Sequence, residues 1–93
     1  MRTIEYTKKF RRDYKRESKG IYKQTLALDI KSVIQLLERD ASLPQNYYDH
    51  ALKGDWHDHR DCHIKPDLIL IYRRPNETTL QLVRLGSHSQ LGL

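Results

Sequence analysis

The chain has 93 residues, with 17 Lys or Arg, 12 Asp or Glu and a net charge of +5 when the histidines are neutral. A chain this short buries only about 60–65% of its extended surface, so it supports one small core and excludes an enzyme with a separate cofactor domain. A hydrophobic fraction of 38% and a charged fraction of 31% exclude a disordered chain, and the single cysteine, Cys62, excludes an internal disulfide framework.

Arg2 to Tyr6 alternates weakly and reads as a short strand. Thr7 caps a following helix in which Phe10 and Tyr14 sit four apart among Lys8, Lys9, Arg11, Arg12, Lys15 and Arg16. Gly20 ends that helix. A second helix is expected from about Ile21 to Arg39, with Leu26, Ile30, Val33, Ile34 and Leu37 on one face and Leu36 widening it. Pro44 lies beyond its end. Residues 40–55 form the longest irregular stretch, and Gly54 marks a turn.

Trp56 to Ile64 then reads as a strand. Trp56, Arg60, Cys62 and Ile64 fall on one side and His57, His59, Asp61 and His63 on the other, with Asp58 breaking the pattern. Pro66-Asp67 makes a turn. Leu68 to Tyr72 is apolar on both faces, as a central strand is. Pro75-Asn76 turns the chain into a last strand, Thr79 to Leu85, and Gly86 leaves a short tail that holds His88. The order is β-α-α-β-β-β over a single domain, 1–93. Its class is α+β, with two N-terminal helices on a twisted, mainly antiparallel sheet. No stretch approaches the roughly 20 apolar residues of a membrane span. Met1 to Glu5 does not open a signal peptide, so a cytoplasmic location is expected.

Charge is unevenly placed. Residues 1–23 hold nine Lys or Arg against three Asp or Glu, whereas residues 49–67 hold three against five and four of the five histidines. The first segment reads as a surface for a polyanion, or as a solvated helix face; the second reads as a place for chemistry. Histidine titrates near neutrality, so three readings compete for this cluster. His57 and His59 could converge on a metal, although no helical His-x-x-x-His or Cys-x-x-Cys spacing accompanies them. His50, His63 and His88 come from separate segments and could cleave RNA, supplying base and acid while Arg60 and Arg84 supply positive charge. The third reading is structural, with histidines that only satisfy hydrogen bonds. Cys62 lies opposite the histidine face, a buried position that does not suit a nucleophile. Tyr47 and Tyr48 stand in the loop, where an exposed ring could stack on a base.

Three blocks carry a resemblance: Asp49-His50-Ala51-Leu52-Lys53-Gly54-Asp55-Trp56, then Arg60 to Tyr72, then Arg84-Leu85-Gly86-Ser87-His88-Ser89-Gln90-Leu91. Together they resemble the YafQ-type toxins of bacterial type II toxin–antitoxin systems, within the RelE-like superfamily. The resemblance implies a microbial-ribonuclease-type fold and a ribosome-dependent endoribonuclease. Such an enzyme cuts translated mRNA in the ribosomal A site without a metal or other cofactor and leaves a 2′,3′-cyclic phosphate. It places the catalytic set on His50, His63, Asp67 and His88, and the RNA and phosphate contacts on Arg84, Arg60 and Lys53. It also implies a cognate antitoxin in a heterotetramer of two toxins and two antitoxins, the 70S ribosome as partner, and operator DNA contacted mainly through the antitoxin. The family closes with His-x-x-Leu-Phe, whereas here Gly92 follows Leu91. The missing ring leaves a second expectation open: a weakly catalytic binding module that serves as antitoxin partner and co-repressor.

Overall fold

The computed structural model describes all 93 residues. The elements are β1 (Thr3–Tyr6), α1 (Lys8–Glu17), α2 (Leu26–Leu37), β2 (His50–Ala51), β3 (Arg60–Lys65), β4 (Leu68–Asn76), β5 (Thr79–Gly86) and α3 (His88–Leu91), with 3-10 turns at Gln45–Tyr47 and Gly54–Trp56. One five-stranded sheet runs in the order β1-β5-β4-β3-β2. β1 lies parallel to β5, and every other neighbouring pair is antiparallel. Both long helices pack on one face. Phe10, Leu26, Ile30, Val33 and Leu37 meet Cys62, Ile64, Leu68, Leu70, Tyr72, Leu80, Leu82 and Leu85 there. Each fully buried Leu or Ile contributes about 1.5–3 kcal/mol by leaving water. The other face carries a smaller cluster of Ile69, Ile71 and Leu91, against which Leu52, Trp56 and Val83 pack. β4 serves both clusters, which is why Leu68 to Tyr72 is apolar throughout.

The N-terminus of α1 is fixed to β5. The Thr7 hydroxyl accepts from Phe10 N at 2.9 Å and donates to the Val83 carbonyl at 2.7 Å. β1 ends opposite Leu82, so the edge of β5 beyond it would be bare. α1 covers that edge: Leu85 N donates to Asp13 Oδ2 at 3.0 Å and the Leu85 carbonyl accepts from Arg16 Nη2 at 2.9 Å. An edge capped by side chains has no unpaired backbone to offer another chain.

Five boundaries depart from the sequence reading. β4 runs on to Asn76 rather than ending at Tyr72, since Arg73 and Asn76 still pair with Gln81 and Thr79 of β5. α2 begins at Leu26 rather than Ile21, because residues 20–25 form turns, with Lys23 N bonding to the Gly20 carbonyl and Thr25 N to the Tyr22 carbonyl. β3 begins at Arg60 rather than Trp56. Gly54 (φ +66°) and Asp58 (φ +67°) are both left-handed, so the chain turns where a strand would run. His57 and His59 therefore lie in a turn and share no strand face with His63. β2, only two residues long, escapes any periodicity. The segment after Gly86 is a helical turn rather than a tail, capped by Ser87: its hydroxyl accepts from Gln90 N at 3.2 Å and Gln90 Oε1 accepts from Ser87 N at 2.8 Å.

Candidate active site

Three stretches bring His50, His63, Asp67 and His88 to the end of the sheet's open face. His50 on β2 pairs across the ladder with Asp61 on β3. His63, two residues along β3, projects to the same side as Asp61 and pairs with Ile69, which in turn pairs with Gly86 at the end of β5. Two residues beyond Gly86, His88 opens α3. The His63 and His88 rings stand 5.3 Å apart, edge to face. The His63 ring makes no hydrogen bond within the chain; the Tyr48 ring flanks it at 5.5 Å.

The outer two histidines are held in defined tautomers. His50 Nδ1 lies 2.9 Å from the Tyr48 carbonyl, which can only accept, so Nδ1 carries the proton and Nε2 is an acceptor. Asp61 Oδ1 lies 3.0 Å from the same Nδ1. A single N–H aligns with one acceptor, and the carbonyl has it, so this buried oxygen keeps no hydrogen bond. Burial holds the Asp61 carboxyl above the usual carboxylate range, against the attraction of His50, His63 and His88. At the other end, Asp67 Oδ1 accepts from His88 N at 2.9 Å and from His88 Nδ1 at 2.6 Å. Those two hydrogen bonds hold the Asp67 carboxyl below its ordinary value, and His88 Nε2 makes no hydrogen bond within the chain. The two histidine side chains are 55% and 44% exposed, so each ring presents a solvent-accessible surface.

The predicted cations are tied internally. Arg84 Nε donates to Asp13 Oδ2 at 2.7 Å and Nη2 to Asp13 Oδ1 at 3.3 Å, which leaves Nη1 without a hydrogen bond. Arg60 Nε donates to Asp49 Oδ1 at 3.2 Å, and the buried Tyr72 hydroxyl donates to the same oxygen at 2.5 Å. Asp49 precedes His50, so this pair anchors the backbone of that histidine to the core; Arg60 shares the helix-side face of β3 with Cys62 and Ile64, opposite His63, so it is not the phosphate contact expected from the sequence. Lys53 is exposed beside the 3-10 turn at Gly54–Trp56. His57 and His59 take no part: their Nδ1 atoms lie 3.1 Å from the carbonyls of Gly54 and His57. Cys62 is fully buried, and burial pushes its thiol far above the ordinary range. Asp61, a carboxylate that alternates with the histidines in the sequence, is brought beside His50; the Tyr48 carbonyl, which fixes the His50 ring, has no signal in the sequence.

The profile of YafQ, a bacterial toxin of type II toxin–antitoxin systems, matches residues 2–92. The mRNA interferase toxin YafQ of Escherichia coli K12 is 36% identical over 90 residues, covering 97% of this chain and 95% of its own. The chain belongs to the YafQ toxin family. A Haemophilus influenzae protein bearing the YafQ name is 38% identical over 93 residues, covering 97% of this chain and 91% of its own. The crystal structure of the E. coli DinJ–YafQ complex superposes with a TM-score of 0.83 at 35% identity, covering 98% of each chain. The expected α+β, RelE-like architecture is thus the one observed.

Proposed function

We propose that this YafQ-family toxin is a ribosome-dependent endoribonuclease that cuts translated mRNA in the ribosomal A site and is silenced by a cognate antitoxin. The observation that carries the proposal is the histidine arrangement: three imidazoles from three separate segments, with the Nδ1 of His50 and of His88 each satisfied and neither Nε2 hydrogen-bonded within the chain. In the proposed reaction His50, assisted by His63, takes the proton of a ribose 2′-OH through Nε2. The 2′ oxygen attacks the adjacent phosphorus, and the bond from phosphorus to the 5′ oxygen breaks. His88 Nε2–H donates its proton to that oxygen, giving a 2′,3′-cyclic phosphate and a 5′-hydroxyl. Asp67 holds the His88 ring in line and stabilises its charged form. Arg84 Nη1 steadies the phosphate and Lys53 meets the message backbone, while Arg60, through Asp49, positions His50 from the opposite face of the sheet.

The exposed Lys8, Lys9, Arg11, Arg12 and Lys15 of α1 give the ribosome a basic surface, with salt-sensitive binding. The same charge suits an acidic antitoxin segment. The proposed inactive assembly holds two toxins and two antitoxins, with operator DNA contacted mainly through the antitoxin. Inducible expression tests the reading: the wild-type chain arrests growth, and His88→Ala, shown to be folded by circular dichroism, does not. Arrest that persists undiminished in His88→Ala contradicts the proposed acid. A wild-type chain that leaves growth and message intact points to the binding module instead.

A further inference from the structure

We propose that the Tyr48 ring is the platform on which a nucleobase of the message stacks beside the scissile phosphate, a reading that rests on the endoribonuclease activity proposed above. Tyr48 is 66% exposed, whereas Tyr72 is fully buried and Tyr14, Tyr22 and Tyr47 are partly buried against the core. Tyr6, the other exposed tyrosine, lies under the Arg11 guanidinium at 5.1 Å. Tyr48 also adopts φ 49°, ψ 41°, a left-handed conformation that costs a residue with a Cβ about 1–2 kcal/mol. Tyr48 N bonds to the Gln45 carbonyl at 3.0 Å, closing the 3-10 turn that holds this geometry.

That strained turn achieves two things. It aims the Tyr48 carbonyl at His50 Nδ1, and it sets the ring 5.5 Å from the His63 ring at 57°. One residue thus touches two members of the catalytic set, and most of its aromatic surface stays in solvent. A cleft of about 500 Å3 opens beside it, lined by Asn46, Tyr47, Tyr48, His63, Lys65 and Asp29. That volume lies in the range of small-ligand sites. Lys65 Nζ pairs with Asp29 at 3.0 Å on one wall, and the Asn46 carboxamide can both donate and accept. Unpaired RNA bases are held in this manner, with one face on an aromatic ring and an edge toward polar groups. A base in the cleft contacts Tyr48, and its own phosphate lies within reach of His63.

Stacking contributes about 1–3 kcal/mol per base, so losing the ring raises the concentration for half-maximal cleavage by roughly 5- to 150-fold. The test is single-turnover cleavage of a defined message on programmed ribosomes. Tyr48→Phe keeps the ring and retains the wild-type half-saturation. Tyr48→Asn removes the ring with a residue that tolerates the left-handed turn, so His50 keeps its carbonyl partner. We expect half-saturation to rise by that factor while the rate at saturation stays within about threefold. Messages with an abasic nucleotide on either side of the cut complete the cycle: the abasic penalty seen with wild type disappears in Tyr48→Asn. A full abasic penalty in Tyr48→Asn, or wild-type half-saturation in that variant, overturns this proposal and leaves the nuclease reading standing. A wild-type chain that cleaves no message overturns both.

Discussion

Asp13 offers the most demanding test of how the fold holds its active site. Its carboxylate is buried on α1 and accepts four hydrogen bonds: Arg84 Nε at 2.7 Å, Arg84 Nη2 at 3.3 Å, Arg16 Nη1 at 3.0 Å and Leu85 N at 3.0 Å. Asp13→Ala orphans the Leu85 N–H, at about 1–3 kcal/mol. It also strands Arg84, whose side chain is only 21% exposed, without its counter-ion. Together these losses destabilise by about 3–5 kcal/mol, the range for breaking one side of a buried pair. A 93-residue domain has only about 5–14 kcal/mol in hand, so urea denaturation resolves the effect easily. Burial pushes the Asp13 carboxyl up, but Arg84, the Leu85 N–H and Arg16 outweigh it and hold the group below its ordinary value of 3.8. A depressed carboxylate stabilises the fold above its unfolded pKa, and that contribution is lost as the pH falls below about 4 through the folded value. The wild-type chain therefore loses stability on acidification across that window, and Asp13→Ala flattens the loss. A loss under 1 kcal/mol at pH 7 for Asp13→Ala would refute the claim that this carboxylate ties α1 to the end of β5.

Asp61 carries the opposite sign. Burial raises its folded pKa, so its ionised form costs stability as the pH rises through that value, and the cost vanishes on acidification. Asp61→Asn is therefore expected to be as stable as wild type at pH 7, or up to about 1 kcal/mol more so, while cleavage falls because His50 loses the charge 3.0 Å from its Nδ1; a variant that unfolds more readily contradicts this. A Cβ at Gly86 would stand 2.9 Å from Gln90 Oε1 and 3.0 Å from Arg16 Nη2. Gly86→Ala pushes these two flexible side-chain ends aside and breaks the Gln90 half of the α3 capping box, costing about 0.5–1.5 kcal/mol in denaturation while the Ser87 hydroxyl cap stays, and cleavage falls because His88 is the first residue of that helix. An unchanged rate would separate the cap from the chemistry.

The elements legible in the sequence are those with long periodic patterns. The stripe from Leu26 to Leu37, the doubly apolar Leu68–Tyr72 and the Thr7 cap all appear where expected. Breaks in pattern carry less information. Asp58, an exception to strict alternation, is a left-handed residue that ends the turn before β3, so the face assigned to His57 and His59 does not exist. A register shift opposite β4 inserts Val83 into β5, since Ile71 pairs with Arg84 and Tyr72 with Leu82. Such a bulge re-aims its neighbours, and Arg84 meets Asp13 of α1. No local pattern announces an ion pair across 71 residues.

Gly92 has a physical reading as well. It sits at φ +71° after α3, and Leu93 N bonds back to the His88 carbonyl at 2.9 Å. Glycine closes the helix that carries His88 in a conformation where an aromatic residue would be strained. The Tyr48 ring stands on the other side of His63, on a turn that shares no residue with this cap.

Message cleavage in a purified translation system tests the central claim most directly. Wild type and His88→Ala are compared with and without ribosomes, and 5′ ends are mapped by primer extension. The account predicts cuts that require ribosomes and fall by at least about 10²-fold in His88→Ala. Intact message at high concentration of folded wild-type toxin, or equal cutting by the variant, would contradict it.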